Sequence, residues 1–186
     1  MKKWILIGIN YTLFTYYKVY FSTILFGLNK SVKIVFIDID NTIADTWVTL
    51  KSNKFTNEKD RHQKLKPFDG MRTFIKNQYR DNNNSYKIIY LTARYFTVIP
   101  ITKQWLNKNH FFENPDSLIV VSKPKLKLYF LKLAVKKKYD VIYIDDLSYN
   151  HENGETKFYD AIISEINTMN IDYKGYNEIK KINNVG

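Results

Sequence analysis

The stretch KIVFIDIDNTIADTW, from Lys33 to Trp47, decides the fold class. Four apolar residues, Ile34 to Ile37, lead directly into Asp38 and Asp40. A continuous apolar run is typical of a strand that is covered on both faces, and it predicts a buried strand at Lys33–Ile37. Two carboxylates placed where such a strand ends indicate either a surface turn or a functional site, and the rest of the sequence has to distinguish them.

Three further apolar runs repeat this pattern of a short buried strand followed by polar residues. They are Lys87–Leu91 before TAR, Leu118–Val121 before SKPK, and Val141–Ile144 before a pair of aspartates. Helical patterns lie between and after these runs, at Gly70–Tyr79, Ile99–Asn109, Lys125–Lys138 and Phe158–Ile166. Strands that alternate with helices predict right-handed βαβ units. We therefore predict an α/β fold, a Rossmann-like three-layer α/β/α arrangement with a central parallel sheet and a small cap or none.

The length of 186 residues suggests one main domain, which we place at residues 31–186. Residues 46–66 are polar and lysine-rich, and we interpret them as a short insertion that is too small to fold alone. We expect the last residues of the chain to be frayed.

Residues 1–30 form an apolar and aromatic N-terminal segment that Asn10 and Lys18 interrupt. A charge near the middle of a spanning helix costs about 3 kcal/mol on insertion scales, and no small-residue cleavage site precedes Lys33. We expect this segment to be packed against the domain or to lie at a membrane interface through residues 1–28, rather than to be a spanning helix or a signal peptide.

The overall charge is strongly positive, with 29 Lys and Arg residues against 18 Asp and Glu residues and a net charge of +11. Such a charge favours anionic ligands, namely phosphate esters, nucleic acid or an acidic membrane surface. It also fits a chain that is rich in Lys, Asn, Ile and Tyr together, as an AT-rich coding sequence would produce. The absence of cysteine excludes disulfides, thiolate metal sites and cysteine nucleophiles, and it agrees with a cytoplasmic location, with or without membrane association.

The polar residues after the predicted strands should lie together, because ligands of open parallel sheets bind beyond the carboxyl ends of the strands. Asp38, Asp40, Asp145 and Asp146 then bring several carboxylates to one edge. Close carboxylates repel one another, and Mg²⁺ is a cation that prefers such oxygen ligands. The three histidines are scattered, and we expect each to face solvent rather than to bind a metal.

Hydroxyl and cationic groups are expected at the same edge. Thr92 directly follows one strand and Arg94 comes next but one, and a guanidinium binds an anion through two hydrogen bonds. Lys123, Lys125 and Lys127 lie around the start of the following helix, and at least one of them should face the site.

The segments DIDNTIAD, LTAR, SKPK and YIDDLSYN, in this order, resemble the four motifs of the haloacid dehalogenase-like (HAD) phosphohydrolases. The resemblance spans Lys33–Asn150, and its most specific part is the Asp-x-Asp-x-Thr of the first motif. The short insertion after that motif is similar to the minimally capped branch of the superfamily.

The resemblance implies a role for each matching residue. Asp38 would be the nucleophile that forms an aspartyl-phosphate, and Asp40 the general acid and then the general base. Thr92 would bind the phosphoryl group, and we choose Lys125, which lies twenty residues before Asp145, as the third-motif lysine over Lys123 and Lys127. The remaining assignments are substrate binding by Thr42, Thr92, Ala93, Arg94 and Lys123, and Mg²⁺ binding by Asp38, Asp40 (through its backbone carbonyl), Asp145 and Asp146.

The expected function is therefore that of a Mg²⁺-dependent phosphomonoester hydrolase acting on a nucleotide, a sugar phosphate or another small phosphomonoester. Two alternatives stay open at this point. One is end processing of nucleic acid by a polynucleotide 3′-phosphatase-like domain, although no kinase P-loop is present in the sequence. The other is a non-catalytic HAD-like binding or scaffold protein that is tethered by residues 1–28.

Overall fold

A computed structural model describes residues 2–50, 57–81 and 85–184 of the chain. Within these residues, helices separate the strands of the main sheet along the chain. The strands are β1 Lys33–Ile37, β2 Ala44–Asp45, β3 Lys66–Pro67, β4 Tyr86–Ala93, β5 Ser117–Val121, β6 Val141–Ile144, β7 Ser148–Tyr149, β8 Lys157–Phe158 and β9 Asp172–Lys174. The helices are α1 Lys2–Gly27, α2 Trp47–Leu50, α3 Glu58–Gln63, α4 Asp69–Ile75, α5 Ile99–Lys108, α6 Lys127–Lys136, α7 Asp160–Asn167 and α8 Tyr176–Asn184.

Five strands form one parallel sheet in the order β5-β4-β1-β6-β9. In the centre of this sheet, Ile37 of β1 pairs with Tyr90 of β4 on one side and with Ile144 of β6 on the other. Helices cover both faces, so the predicted Rossmann-like three-layer α/β fold is confirmed. Strands β1 and β6 have the predicted bounds. The edge strand β9 was not predicted, because Asp172 and Lys174 leave it without an apolar run.

The core has two layers because successive side chains of a strand point to opposite faces of the sheet. Ile34 and Phe36 of β1 pack into the layer that contains Phe21 of α1 and buried residues of α6 and α7. Val35 and Ile37 pack into the opposite layer, with buried residues of α4, α5 and α8.

Helix α1 runs antiparallel to β5 along the outside of the sheet. The Tyr20 hydroxyl donates to Ser117 Oγ at the start of β5 at 3.2 Å, whereas Asn10 lies in a small cleft with Ser122, just past the end of that strand. Tyr17, Phe21 and Leu25 are buried, so the second half of α1 is part of the core. None of the described helices combines the length and the apolar character that crossing a membrane requires.

The chain forms a packed helix as far as Asn184, and the last two residues, on which the expectation of a frayed end falls, lie outside the described residues. Ile179 of α8 is buried, and the carbonyl oxygen of Ile182 lies 2.4 Å from the position that a Cβ atom on Gly70 would occupy. Helices α4 and α8 therefore pack closely through a glycine. The sequence lacks an obvious apolar run here, because this amphipathic helix buries only one narrow face.

The predicted insertion at residues 46–66 contains α2, α3 and part of a two-stranded antiparallel sheet between β2 and β3. Residues 51–56 of this prediction lie outside the described residues. The described parts of the insertion lie near the carboxyl end of β1, since Phe68 N–H donates to Ile43 O at 2.9 Å.

The strand order reverses between β1 and β6, since the chain proceeds from β1 to β4 and β5 in one direction and to β6 and β9 in the other. In open α/β sheets, the crevice at such a switch point is the usual ligand site. The polar residues that follow β1 and β6 lie at this crevice.

Candidate functional site

Three buried carboxylates meet at the switch point. Asp38 directly follows β1, and Asp145 and Asp146 directly follow β6. One carboxylate oxygen from each of the three lies within 4.8 Å of those from the other two. The backbone N–H of Asp38 donates to Ile144 O at 2.9 Å, which continues the sheet pairing one residue beyond β1 and holds the two strand ends together.

Lys127 is the cation of this cluster. Its ammonium nitrogen lies 2.8 Å from Asp38 Oδ1 and 2.7 Å from Asp145 Oδ2, and the side chain is almost fully buried. Lys123 and Lys125 are both exposed to solvent. The predicted lysine, Lys125, therefore does not reach the carboxylates, and Lys127 contacts them instead. The physical reason is the single 3₁₀ turn Pro124–Leu126, which carries Lys125 on its outer side before α6 begins.

Asp145 and Asp146 each accept further hydrogen bonds that fix the carboxylate in place. Asp145 accepts from the Tyr143 hydroxyl and, at 2.9 Å, from the backbone N–H of Leu147. Asp146 accepts from the Ser148 hydroxyl and, at 3.3 Å, from the hydroxyl of Thr42. Thr42 also accepts from the N–H of Asp146 at 3.2 Å, so its place is beside this carboxylate rather than as a free substrate ligand.

The donor set fits a hard divalent cation. Three carboxylates against one ammonium leave two negative charges in a buried space, and one divalent cation would balance them. Mg²⁺ binds through oxygen ligands, and Asp38, Asp145 and Asp146 supply oxygens from three backbone positions. The Asp40 side chain lies outside this group of three, so its predicted part in metal binding rests on its backbone carbonyl alone.

Burial sets the proton affinity of these carboxyl groups in the metal-free cluster. Burial raises the pKa of Asp38 to about 7, and the nearby charge of Lys127 opposes this shift while Asp145 adds to it. The pKa of Asp146 is also raised, by burial and then by the charge of Asp145. For Lys127, burial lowers the pKa, but Asp145 and Asp38 outweigh it and hold the ammonium charged.

Asp40 is engaged by Arg94 instead of by the cluster. Arg94 Nε donates to Asp40 Oδ2 at 2.8 Å and Nη2 donates to Oδ1 at 2.6 Å, while the Thr46 hydroxyl also donates to Oδ1 at 2.8 Å. Burial raises the pKa of Asp40, but the charge and hydrogen bonds of Arg94 outweigh burial and lower it well below its usual range. Asp40 is therefore ionised in this arrangement.

The other predicted ligands of a phosphoryl group lie at the end of β4. Thr92 is fully buried, and its hydroxyl has no hydrogen-bond partner among the described residues. An orphaned hydroxyl at the end of a central strand is suited to bind a phosphate oxygen. Ala93 and Arg94 line a cleft of about 390 Å³ together with Asp40. Lys123, by contrast, is exposed and is not among the residues that line this cleft.

Two histidines contradict the expectation that all three face solvent. His62 is 4 % exposed and lines the cleft near Asp40 and Arg94. His151 Nε2 lies 2.6 Å from Ser148 Oγ and 4.0 Å from Asp146 Oδ2. His110 is exposed as expected.

Sequence reasoning also missed the residues that orient the carboxylates, namely Thr46, Tyr143 and Ser148. Tyr143 lies inside the motif YIDD, and its position two residues before Asp145 puts both side chains on one face of the strand. Ser148 follows Asp146 by two residues, which is the local spacing of a hydroxyl that closes a turn onto a carboxylate. Thr46 carried no such signal, because its contact with Asp40 depends on the turn after β1.

The buried His62 should make the protein sensitive to mild acid. Burial and, after it, the charge of Arg94 lower the pKa of His62 to about 4 against the opposing charge of Asp40. A histidine whose folded pKa lies below its unfolded value contributes stability above about pH 6.5 that is lost as the pH falls toward 4. From pH 7 to pH 5, this single group removes about 2 kcal/mol from the free energy of unfolding.

The comparison that isolates this contribution is urea unfolding of wild type and His62→Gln at both pH values. The loss between pH 7 and pH 5 should be smaller in the variant by about 2 kcal/mol. His110→Gln is the matched control, because this exposed histidine should leave the wild-type loss unchanged. Equal losses in wild type and His62→Gln would show that His62 titrates normally.

No protein-family model, curated protein or solved structure matches this chain.

Proposed function

We propose that this protein is a Mg²⁺-dependent phosphomonoester hydrolase of the HAD-like type, with Asp38 as the nucleophile. The observation that carries the proposal is the position of Lys127 between Asp38 and Asp145, in a group that includes Asp146. The orphaned hydroxyl of Thr92 lies near the carboxyl end of the neighbouring strand β4. A surface turn would have no reason to bury these groups together, since burial of charges without a function is costly.

The first chemical step is attack by an Asp38 carboxylate oxygen on phosphorus, which forms an acyl-phosphate bond and breaks the bond to the leaving oxygen. Lys127 opposes the protonation of Asp38 and neutralises part of the charge of the transferring group. Thr92 donates its free hydroxyl to a phosphoryl oxygen. Bound Mg²⁺, held by Asp38, Asp145 and Asp146, would supply electrostatic stabilisation of the phosphoryl charge.

Asp40 is proposed to carry the protons. It gives one to the leaving oxygen, and in the second step it takes one from the water that attacks the aspartyl-phosphate and releases inorganic phosphate. Because Arg94 keeps Asp40 ionised, Asp40 holds a proton only when this ion pair is loosened. The phosphate of a bound substrate is an anion that competes for Arg94, so substrate entry itself would raise the pKa of Asp40.

Replacement of Asp38 by asparagine should abolish turnover without unfolding the protein. The amide keeps the shape of the side chain but cannot form the acyl-phosphate, so we expect the rate of phosphate release to fall by at least about 10³-fold. The assay is Mg²⁺-dependent hydrolysis of p-nitrophenyl phosphate, with circular dichroism as the fold check. Asp69→Asn, at an exposed carboxylate on α4, is the control, and most activity remaining in Asp38→Asn would exclude Asp38 as the nucleophile.

A nucleic acid end is a second candidate substrate, because two tyrosines stand exposed at the cleft. Tyr95 and Tyr149 are 72 % and 41 % exposed and line the same cleft as Asp40 and Arg94. Exposed aromatic rings beside a cationic group are suited to stack on bases. The candidates are separated by activity assays on nucleotides, sugar phosphates and 3′-phosphorylated oligonucleotides at two salt concentrations. A steep loss of activity with salt that is confined to the oligonucleotides would favour nucleic acid as the substrate.

The scaffold alternative is tested by the same panel. A non-catalytic HAD-like protein would bind phosphomonoesters without turnover, so failure on every substrate in the presence of Mg²⁺ would favour that alternative over the hydrolase.

A further inference from the structure

The first turns of α1 carry apolar side chains that the described residues leave about half exposed or more. Trp4, Ile5, Leu6 and Ile7 are between 48 % and 79 % exposed, and Tyr11 is 73 % exposed. Four consecutive helical residues are separated by about 100° each, so they point in all directions around the helix axis. This exposure differs from that of an ordinary amphipathic helix, in which one face stays polar.

These turns extend past the edge of the sheet at which the carboxylate cluster lies. Asn10 lines a small cleft with Arg94 and Ser122, which places it level with the carboxyl ends of β4 and β5. At about 1.5 Å of rise per residue, Trp4 lies roughly 9 Å further along the axis. The apolar end of α1 and the opening of the candidate site therefore face the same side of the molecule.

The charge of the segment restricts what covers it. Residues 1–27 contain Lys2, Lys3 and Lys18 and no acidic residue, within a chain whose net charge is +11. Trp4 and Tyr11 are the amphipathic aromatic types that concentrate at membrane–water interfaces. A groove on a partner protein covers one face of a helix, whereas a fluid interface surrounds it.

We propose that the first turns of α1 insert into the interfacial region of an anionic membrane, while the second half of the helix holds the domain. Insertion of this end places the cleft beside Asp40 on the membrane side. The inference stands apart from the phosphatase proposal, because none of its observations depends on catalysis.

Vesicle flotation of the full chain tests the proposal. We expect binding to vesicles of phosphatidylcholine with phosphatidylserine to be at least about fivefold stronger than to phosphatidylcholine alone, because of Lys2 and Lys3. The triple variant Trp4→Ser, Ile5→Ser and Leu6→Ser should lose at least about tenfold of this binding. Phe26→Ser is the matched control, since Phe26 is 94 % exposed at the opposite end of the same helix, and it should bind as wild type does.

Tryptophan fluorescence gives a second readout that does not depend on a change in affinity. Vesicles with brominated acyl chains should quench the emission of wild type, and Trp4→Phe should float with the vesicles but lose most of the quenching. Absence of binding to either vesicle, or equal binding of the triple variant, would overturn the proposal. A dimer in light scattering that the triple variant loses, without vesicle binding, would assign the same turns to a second copy of the chain.

Discussion

Replacement of Lys127 by methionine is expected to lower the free energy of unfolding by about 3–5 kcal/mol, which is the usual cost of removing one partner from a buried ion pair. The methionine fills similar space, but Asp38 and Asp145 lose the ammonium that lies within 2.8 Å of both. Activity should fall by at least about 10²-fold, because the transferring phosphoryl group loses a fixed positive charge. Urea unfolding without Mg²⁺ and phosphate release with Mg²⁺ measure the two effects.

The lysines next to Lys127 in the sequence provide control variants, and the pH dependence of the free energy of unfolding provides a second test. Lys125→Met and Lys123→Met alter exposed side chains and should change stability by no more than about 0.5 kcal/mol. Without Lys127, the folded pKa of Asp38 rises further above its unfolded value. A carboxyl group of this kind favours the folded state at low pH, and its contribution to the free energy of unfolding is lost as the pH rises. The loss of unfolding free energy in Lys127→Met, relative to wild type, should therefore be larger at pH 8 than at pH 5. An equal loss in Lys125→Met would contradict the position of Lys127 between Asp38 and Asp145.

Mg²⁺ is expected to stabilise the wild-type fold strongly, because it relieves the repulsion among Asp38, Asp145 and Asp146. At a hundred times its Kd, a ligand that binds only the folded state adds about 2.7 kcal/mol. For a chain of this size, the increase corresponds to about 5–10 °C in Tm. Thermal unfolding with Mg²⁺ and with a chelator measures the shift.

Asp146→Asn separates the metal site from a general salt effect. Burial and Asp145 raise the pKa of Asp146, so the neutral amide should make the metal-free protein more stable at pH 8 while removing most of the shift with Mg²⁺. Asp69→Asn, at an exposed carboxylate, should keep the full shift. Equal shifts in wild type and Asp146→Asn would exclude this carboxylate as a ligand.

The central strands and the convergence of their ends could be predicted because they depend on local pattern. Runs such as Ile34–Ile37 fill both core layers, and the parallel topology alone brings Asp38 and Asp145 to one edge. Two of the elements that the sequence did not reveal, β9 and α8, lie at the margin of the sheet, where only one face or one residue is buried.

Side-chain choices within the site could not be predicted from spacing. A 3₁₀ turn decides that Lys127 and not Lys125 enters the cluster, and a shift of two residues at the start of a helix is finer than the sequence pattern specifies. The ion pair of Asp40 with Arg94 joins residues 54 positions apart and became visible only in the folded chain. The same is true of His62, whose burial follows from the packing of α3 near α5.

The most direct test of the proposed hydrolase is a search for a phosphoryl group on Asp38 during turnover. The protein is mixed with p-nitrophenyl phosphate and Mg²⁺, quenched in acid, digested and examined by mass spectrometry. The account predicts one phosphoryl group on the peptide that contains Asp38, at a level that rises with the substrate concentration and is absent in Asp38→Asn. Turnover without this species, or with the phosphoryl group on another residue, would contradict it.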